Sequence, residues 1–279
     1  MQIDQPKISI VTCSYQQGRY LDATLRSVLD QAYPDLEYIV VDGGSTDESA
    51  AVIRAHEHEL AYWVSEPDRG QTDALIKGFN RAGGEICGWL CSDDLLLPGA
   101  LQKVAHFFAE HPQVAAVYGD ALWIDAAGDY IRPKREMGFN RFVFLFDHNY
   151  IAQPSMFWRR DLYERVRGLD RDFNLAMDAD LWERFSRHTR IAHLPEYLSC
   201  MRYYPEQKTR AMRPQGRLED ARIRGRSALA RLPGATPVLQ RVARLQRVLA
   251  KGLAGGYWGG PPAGQLQALR RYRIEGSGA

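Results

Sequence analysis

Glu85-Ile-Cys-Gly-Trp-Leu-Cys-Ser-Asp-Asp94 decides how this chain is read. An apolar run that stops abruptly at two acids reads as a buried strand delivering charge to the rim of a sheet. Neighbouring carboxylates repel one another, so they need a counter-charge. A divalent cation that also carries phosphate oxygens supplies one. The other reading is a solvated loop leading to a helix N-cap, because Leu-Leu-Leu97-Pro98 follows and proline suits a first helical turn.

Strand and helix alternate around this segment. Residues 7–12 are a β-branched run and predict a buried strand. Over 18–31, Leu21, Leu25, Val28 and Leu29 recur at helical spacing. Residues 36–41 are the second strand, and Asp42-Gly-Gly-Ser45 turns the chain. Ser45 with Glu48 fits a capping box opening the next helix. A short strand at 61–65, a helix over 72–81, a strand at 85–91, a helix over 98–110 and a strand at 114–118 complete the pattern. Such alternation predicts a mostly parallel sheet covered on both faces, with ligands outside the carboxyl ends of its strands. Asp42 and the Asp93/Asp94 pair both occupy such ends. Further on, the pattern predicts a hairpin over 118–130, a short helix at 139–146, a strand at 153–158 and a helix at 160–167. A helix opens at Asp178 with Leu181, Trp182 and Phe185 inward, and 198–203 is a closing strand. From 215 onward helices are expected, broken at Pro233-Gly234 and over 255–262.

Hydrophobic residues make up 45% of the 279 and charged residues 25%, enough apolar material for an enzyme-sized core. Cys13, Cys87, Cys91 and Cys200 form no CxxC pair and read as reduced thiols, which suits a reducing compartment. No apolar stretch is long enough to span a membrane. The first strand begins at once, which leaves no room for a signal peptide. These points together predict a cytoplasmic location. The net charge of +2 conceals an asymmetry: residues 213–279 hold 13 Lys/Arg against 3 Asp/Glu, while 1–212 carry a balance of −8. An acidic body, 1–212, and a basic helical extension, 213–279, suggest two different jobs.

Five segments occur in order: Ile8-Ser-Ile-Val-Thr-Cys-Ser-Tyr15, Val41-Asp-Gly-Gly-Ser-Thr-Asp47, Ser65-Glu-Pro-Asp-Arg-Gly-Gln71, Gly88-Trp-Leu-Cys-Ser-Asp-Asp94 and Met177-Asp-Ala-Asp-Leu-Trp182. Together they resemble the family 2 inverting glycosyltransferases of the GT-A fold, over roughly residues 6 to 210. The resemblance implies an α/β fold, a Rossmann-like mixed sheet flanked by helices. It also implies a nucleotide-sugar donor, a divalent metal (Mg²⁺ or Mn²⁺) and a carboxylate base. In that family the last Asp of the acidic pair ligates the metal and the preceding one contacts the ribose or metal waters, roles that fall here on Asp94 and Asp93. Asp42 is placed to accept from the base or ribose, and otherwise is a turn former. Many relatives have a second Asp where this chain has Gly43, so the resemblance leaves the base contact unassigned. Thr12 and Tyr15 follow the first strand, where the family packs an aromatic near the base. Asp68 and Gln71 lie in a loop that the family sets near the nucleotide.

Asp178 matches the Asp of the family's Glu-Asp motif and is the candidate base, with Asp180 as its rival and a helix cap as the alternative role. A positioned base of this kind is worth ~10²–10⁴-fold in rate. Tyr204 stands where relatives carry a His, so Lys208 and Arg202 become candidate partners for the diphosphate; His193 reads as structural. The resemblance implies a glycan or lipid-linked acceptor in the synthesis of a bacterial-type surface polysaccharide. The basic amphipathic helices of the extension read either as a dock for an anionic membrane surface, making the protein peripheral on the inner face of the membrane, or as a solvated face. Nucleic-acid binding is disfavoured, since no recognition fold accompanies the charge. The alternative function is a non-catalytic sugar-nucleotide-binding scaffold of a glycan-synthesis complex. A dehydrogenase is disfavoured because Thr12-Cys-Ser-Tyr15 replaces GxGxxG.

Overall fold

The centre of the molecule is a nine-stranded mixed sheet, seen in a computed structural model that describes residues 5–274. Residues 1–4, on which the reading of the N-terminus partly rests, lie outside the described residues. In chain order the strands are β1 (Ile8–Ser14), β2 (Leu36–Asp42), β3 (Tyr62–Ser65), β4 (Ile86–Cys91), β5 (Leu95–Leu96), β6 (Ala116–Ile124), β7 (Tyr130–Lys134), β8 (Met156–Arg159) and β9 (Ile191–Arg202). The helices are α1 (Gly18–Leu29), α2 (Ser49–Ala55), α3 (Gln71–Phe79), α4 (Ala100–Glu110), α5 (Arg141–Phe146), α6 (Arg160–Arg165), α7 (Met177–Phe185), α8 (Lys208–Ala211), α9 (Arg213–Arg224), α10 (Ala235–Leu253) and α11 (Ala263–Leu269).

The strand order is β3-β2-β1-β4-β8-β6-β9-β5, with β7 paired on β6. β3, β2, β1 and β4 run parallel, as the alternating pattern requires. From β4 outward the expected parallel sheet becomes mixed: β8 is antiparallel to both β4 and β6, and β9 is parallel to β6. The cause is the β6–β7 hairpin, which sends the chain back along the sheet without a helical crossover.

Alternation along the central strands sorts side chains onto two covered faces. Val11, Cys13, Cys87 and Trp89 face α3 and α7; Ile8, Ile10, Ile86 and Leu90 face α1 and α4. Each buried aliphatic of this kind contributes about 1.5–3 kcal/mol. On the first face Trp89 stacks on Trp182 with centroids 5.6 Å apart, and Trp158 packs on Trp182 at 5.4 Å. That aromatic contact fixes α7 against β4.

Three local expectations are corrected. The Ser45/Glu48 capping box does not form. Ser45 Oγ donates instead to Asp42 Oδ1 at 2.6 Å, and Asp47 caps two helices, accepting from the backbone N–H of Gly18 and of Ser49. No helix begins at Pro98, because Gly99 takes a left-handed conformation (φ 78°) before α4. Leu95–Leu96 instead pairs with Ser199 and Cys200 of β9, so the two acids precede a strand and not a helix cap.

The basic extension folds back along the body. Ile223 of α9 and Ala243 of α10 are buried in the main core, and Leu269 and Tyr272 close a smaller one with Leu95, Leu97 and Leu122.

Candidate functional site

β4 ends at the rim of the sheet and delivers Asp93 and Asp94 there. Asp94 is buried, and its Oδ1 accepts the backbone N–H of Arg202 at 2.9 Å. Asp93 Oδ2 accepts the Tyr204 hydroxyl at 2.7 Å. Burial raises both carboxyls above their usual range, and the charge of Asp93 raises Asp94 further. The Arg202 charge lowers both without offsetting the burial. The guanidinium is fully buried and donates through Nε and Nη1 to the carbonyls of Asp93, Asp125 and Ala126, which locks the hairpin turn. Tyr204 turns its phenol to Asp93 and to Gln17, whose amide donates to it at 3.0 Å. His193 pairs with Asp120 at 2.9 Å, a structural contact.

Ligand atoms of Cys91, Asp93 and Asp94 all lie within 4.8 Å of one another. Two carboxylates whose pKa values are raised by burial and mutual repulsion gain from a cation, so the residues present fit a divalent metal.

Lys208 lies nearby. Its Nζ donates to Gln71 Oε1 at 3.3 Å, Asn174 O at 2.8 Å and Asn174 Oδ1 at 2.9 Å. All three acceptors are neutral, and no carboxylate among the described residues forms an ion pair with it. Burial lowers its pKa. Gln71 also donates to Cys91 Sγ at 3.3 Å, so Gln71 and Lys208 lie beside the acidic rim.

The residues after β1 and β2 divide into two groups. Thr12 is fully buried and bonds the Tyr38 hydroxyl at 2.9 Å on the α1 side of the sheet. Asp42 is also fully buried. Its oxygens accept from Ser45 N, Ser45 Oγ and Ser65 Oγ, which is the turn-forming arrangement. Tyr15, by contrast, is 62% exposed. Its ring and Asp68 flank Gly43: a Cβ there would meet Asp68 Oδ2 at 2.7 Å and Tyr15 Cδ2 at 3.2 Å. Asp68 Oδ1 accepts from Gly70 N at 2.7 Å. The glycine thus lets the Asp68 carboxylate approach the turn after β2 closely.

Asp178 lies in the first turn of α7, two residues beyond the cap position, which Ala176 occupies. It stands four residues before Trp182 on the same helix face, and the Trp182–Trp89 stack carries that turn toward β4. Asn149 Nδ2 donates to Asp178 Oδ2 at 2.8 Å. Burial, with a smaller push from the charge of Asp220, raises the Asp178 pKa to about 6. Asp180 faces elsewhere: it is fully buried and paired with Arg184 and Arg226, each at 2.6 Å. Glu219 of α9 accepts the backbone N–H groups of Leu175 and Ala176, both at 2.8 Å, and so fixes the entry to α7.

Asn149, Glu219 and Asp220 escaped the sequence reading. The last two carried a signal, since they are the only acids between residues 213 and 274 of a basic segment. Asn149 carried none beyond its place in a polar triplet between aromatic residues.

The family model described as "Glycosyl transferase family 2" matches residues 9–167. The O-antigen biosynthesis protein RfbC of Myxococcus xanthus is 32% identical over 206 residues, which are 70% of this chain and 16% of that protein. A glycosyltransferase of Mycobacterium tuberculosis (strain ATCC 25618 / H37Rv), described as uncharacterized, is 29% identical over 63% of this chain and 67% of its own length. Among solved structures, S. aureus TarS 1-349 in complex with UDP-GlcNAc has a TM-score of 0.66 at 17% identity, covering 95% of this chain and 79% of that one. Mannosyltransferase PcManGT from Pyrobaculum calidifontis, in complex with GDP-Man and Mn²⁺, has a TM-score of 0.63 at 22% identity, covering 96% and 80%. These structural likenesses establish the GT-A fold. With more than half of its length matched by the family model, the chain belongs to glycosyl transferase family 2 and is a glycosyltransferase.

Proposed function

We propose that this glycosyltransferase moves a sugar from a nucleotide-sugar donor to a hydroxyl of a glycan or lipid-linked acceptor, with inversion, in one displacement. The observation that carries the reading is the Asp178 carboxyl, oriented by Asn149 and raised to about 6. A base of that strength is mostly ionised at neutral pH yet still takes a proton usefully. The acceptor oxygen attacks the anomeric carbon while its proton passes to Asp178. The bond from that carbon to the diphosphate breaks, and the nucleoside diphosphate leaves with the electron pair. Attack opposite the leaving group inverts the anomeric centre.

Lys208 is suited to the diphosphate, since it is a cation beside the acidic rim held only by neutral oxygens. Asp94, with Asp93 beside it, would hold a divalent cation, Mg²⁺ or Mn²⁺, which supplies positive charge against the leaving diphosphate. Tyr15 offers an exposed ring for the base to stack on, and Asp68 offers Oδ2 to a base N–H. Asp42 supports this corner by holding the turn at Ser45. The donors bound by TarS and PcManGT, UDP-GlcNAc and GDP-Man, favour a nucleotide sugar here as well.

The test is thermal unfolding with a panel of UDP, GDP and dTDP sugars, with and without Mg²⁺ or Mn²⁺. A cognate donor at a hundred times its Kd stabilises by about 2.7 kcal/mol. Metal-dependent stabilisation by one nucleotide class is expected. No response to any donor would overturn the reading. A non-catalytic scaffold would show the same stabilisation without consuming the donor.

A further inference from the structure

The inward side of α10 is anchored. Ala243 is fully buried, Leu239 and Ala250 pack on the main core, Arg247 pairs with Asp147, and Lys251 pairs with Glu136 at 3.2 Å. The opposite side is apolar and uncovered. Val238, Val242, Leu245, Leu249 and Leu253 fall on one stripe, about 80° wide and ~22 Å long. Each is between 50% and 92% exposed. Beyond the helix, Tyr257 and Trp258 are also exposed, at 52% and 66%.

We propose that this stripe, with the Tyr257-Trp258 turn at its end, docks the enzyme on an anionic lipid bilayer. The charge around the stripe selects the occupant. From Ala221 to Ile274 there are 11 Lys/Arg and no Asp or Glu; five of the 11 pair with acids of the body, and six, Arg241 and Arg244 of α10 among them, form no ion pair among the described residues. A second copy of the same face would bring like charge against like charge, whereas anionic headgroups complement it. An amphipathic helix with basic flanks lies in the interface plane and sinks its Leu and Val side chains below the headgroups. Tyr and Trp favour that same depth, with rings in the apolar layer and polar edges at the headgroups. No helix of the described residues is long and apolar enough to cross a membrane, so the contact is peripheral.

Docking also has a position relative to the chemistry. Asp147, the partner of Arg247, is two residues from Asn149, the residue that orients Asp178. The membrane-facing helix therefore braces the loop that holds the candidate base. In this respect the inference rests on the lipid-linked form of the acceptor, while docking itself is measured without donor or acceptor.

The test is sedimentation of the full-length protein with vesicles of phosphatidylcholine alone or with about one third phosphatidylglycerol, at about 50 mM and 500 mM NaCl. Binding to the anionic vesicles at low salt, weakened at least ~tenfold at high salt or on neutral vesicles, is expected. Trp258 emission should shift to the blue on binding, and Trp258→Phe should abolish the shift. Leu245→Glu/Leu249→Glu should cut binding ~tenfold or more without moving the melting temperature, because both side chains are exposed. Absence of binding at low salt would overturn the proposal, as would binding indifferent to that double variant. So would a dimer in light scattering that the double variant dissolves, since a second copy would then be the occupant. Donor-induced stabilisation, read without vesicles, reports separately on the glycosyltransferase site.

Discussion

Asn149 Nδ2 donates to Asp178 Oδ2 at 2.8 Å and holds the carboxylate in the first turn of α7. With Asp178 as the proposed base, activity requires its ionised form, and burial raises the pKa to about 6. Turnover is expected to fall about tenfold per pH unit below 6 and to level off above it. Asp220→Asn removes a nearby negative charge, so the acid limb should move to lower pH with no loss of fold. A limb that stays in place in the Asp220 variant would separate Asp220 from the base.

The same shift has a stability consequence. The folded-state pKa lies above the unfolded value of about 4, so between pH ~4 and ~6 the folded protein keeps a proton that the unfolded chain has lost. Stability therefore drops as pH rises through that window, and the penalty is complete above 6. Asp178→Asn escapes it and should be more stable by about 1–3 kcal/mol at pH 7.5, with the advantage gone near pH 4. Urea unfolding at the two pH values checks this.

Lys208 has three neutral oxygen partners and a lowered pKa, the state of a cation waiting for an anion. Lys208→Met keeps the aliphatic stem and removes the charge. Loss of one charge-assisted contact, about 1.5–3 kcal/mol, should raise the Kd for the nucleoside diphosphate ~10–100-fold. Calorimetric titration with UDP and GDP reads the effect, and an unchanged Kd would remove Lys208 from the diphosphate site.

Gly43→Asp should be harmful. The new Cβ would sit 2.7 Å from Asp68 Oδ2, and the new carboxylate would repel Asp68. A cost of about 1–3 kcal/mol in stability is expected, together with weaker nucleotide binding. Adding Asp68→Gly should recover much of both. If the pair of changes costs as much as the sum of the singles, the two sites are not exchanging one role.

Glu219→Ala leaves the N–H groups of Leu175 and Ala176 without their acceptor. An unsatisfied buried donor costs about 1–3 kcal/mol, so a loss of ~2–5 kcal/mol in urea unfolding is expected. Transfer should weaken too, because these N–H groups set the entry to α7. A loss below ~0.5 kcal/mol would show that water replaces the carboxylate.

The legible parts of the sequence were those with a period or an abrupt break. Strands β2 and β4 read correctly because their apolar runs end at acids, and β1 because its β-branched run is continuous. The Asp93/Asp94 rim followed from the same break. Tertiary partners were not legible. Nothing local shows that Arg202 spends its guanidinium on carbonyls, or that Thr12 faces Tyr38. One of the two arginines paired with Asp180, Arg226, lies 46 residues further along the chain. Similarly, Pro98 looked like a helix start until Leu95 and Leu96 found β9, a pairing across more than 100 residues.

The account stands or falls on Asp178 as the proton acceptor in sugar transfer. Its direct measurement is a side-by-side assay of Asp178→Asn and the unchanged protein, reading donor-induced thermal stabilisation and sugar transfer in the same preparations. The account predicts full donor stabilisation with transfer reduced ~10²–10⁴-fold. Near-normal transfer by Asp178→Asn would contradict it.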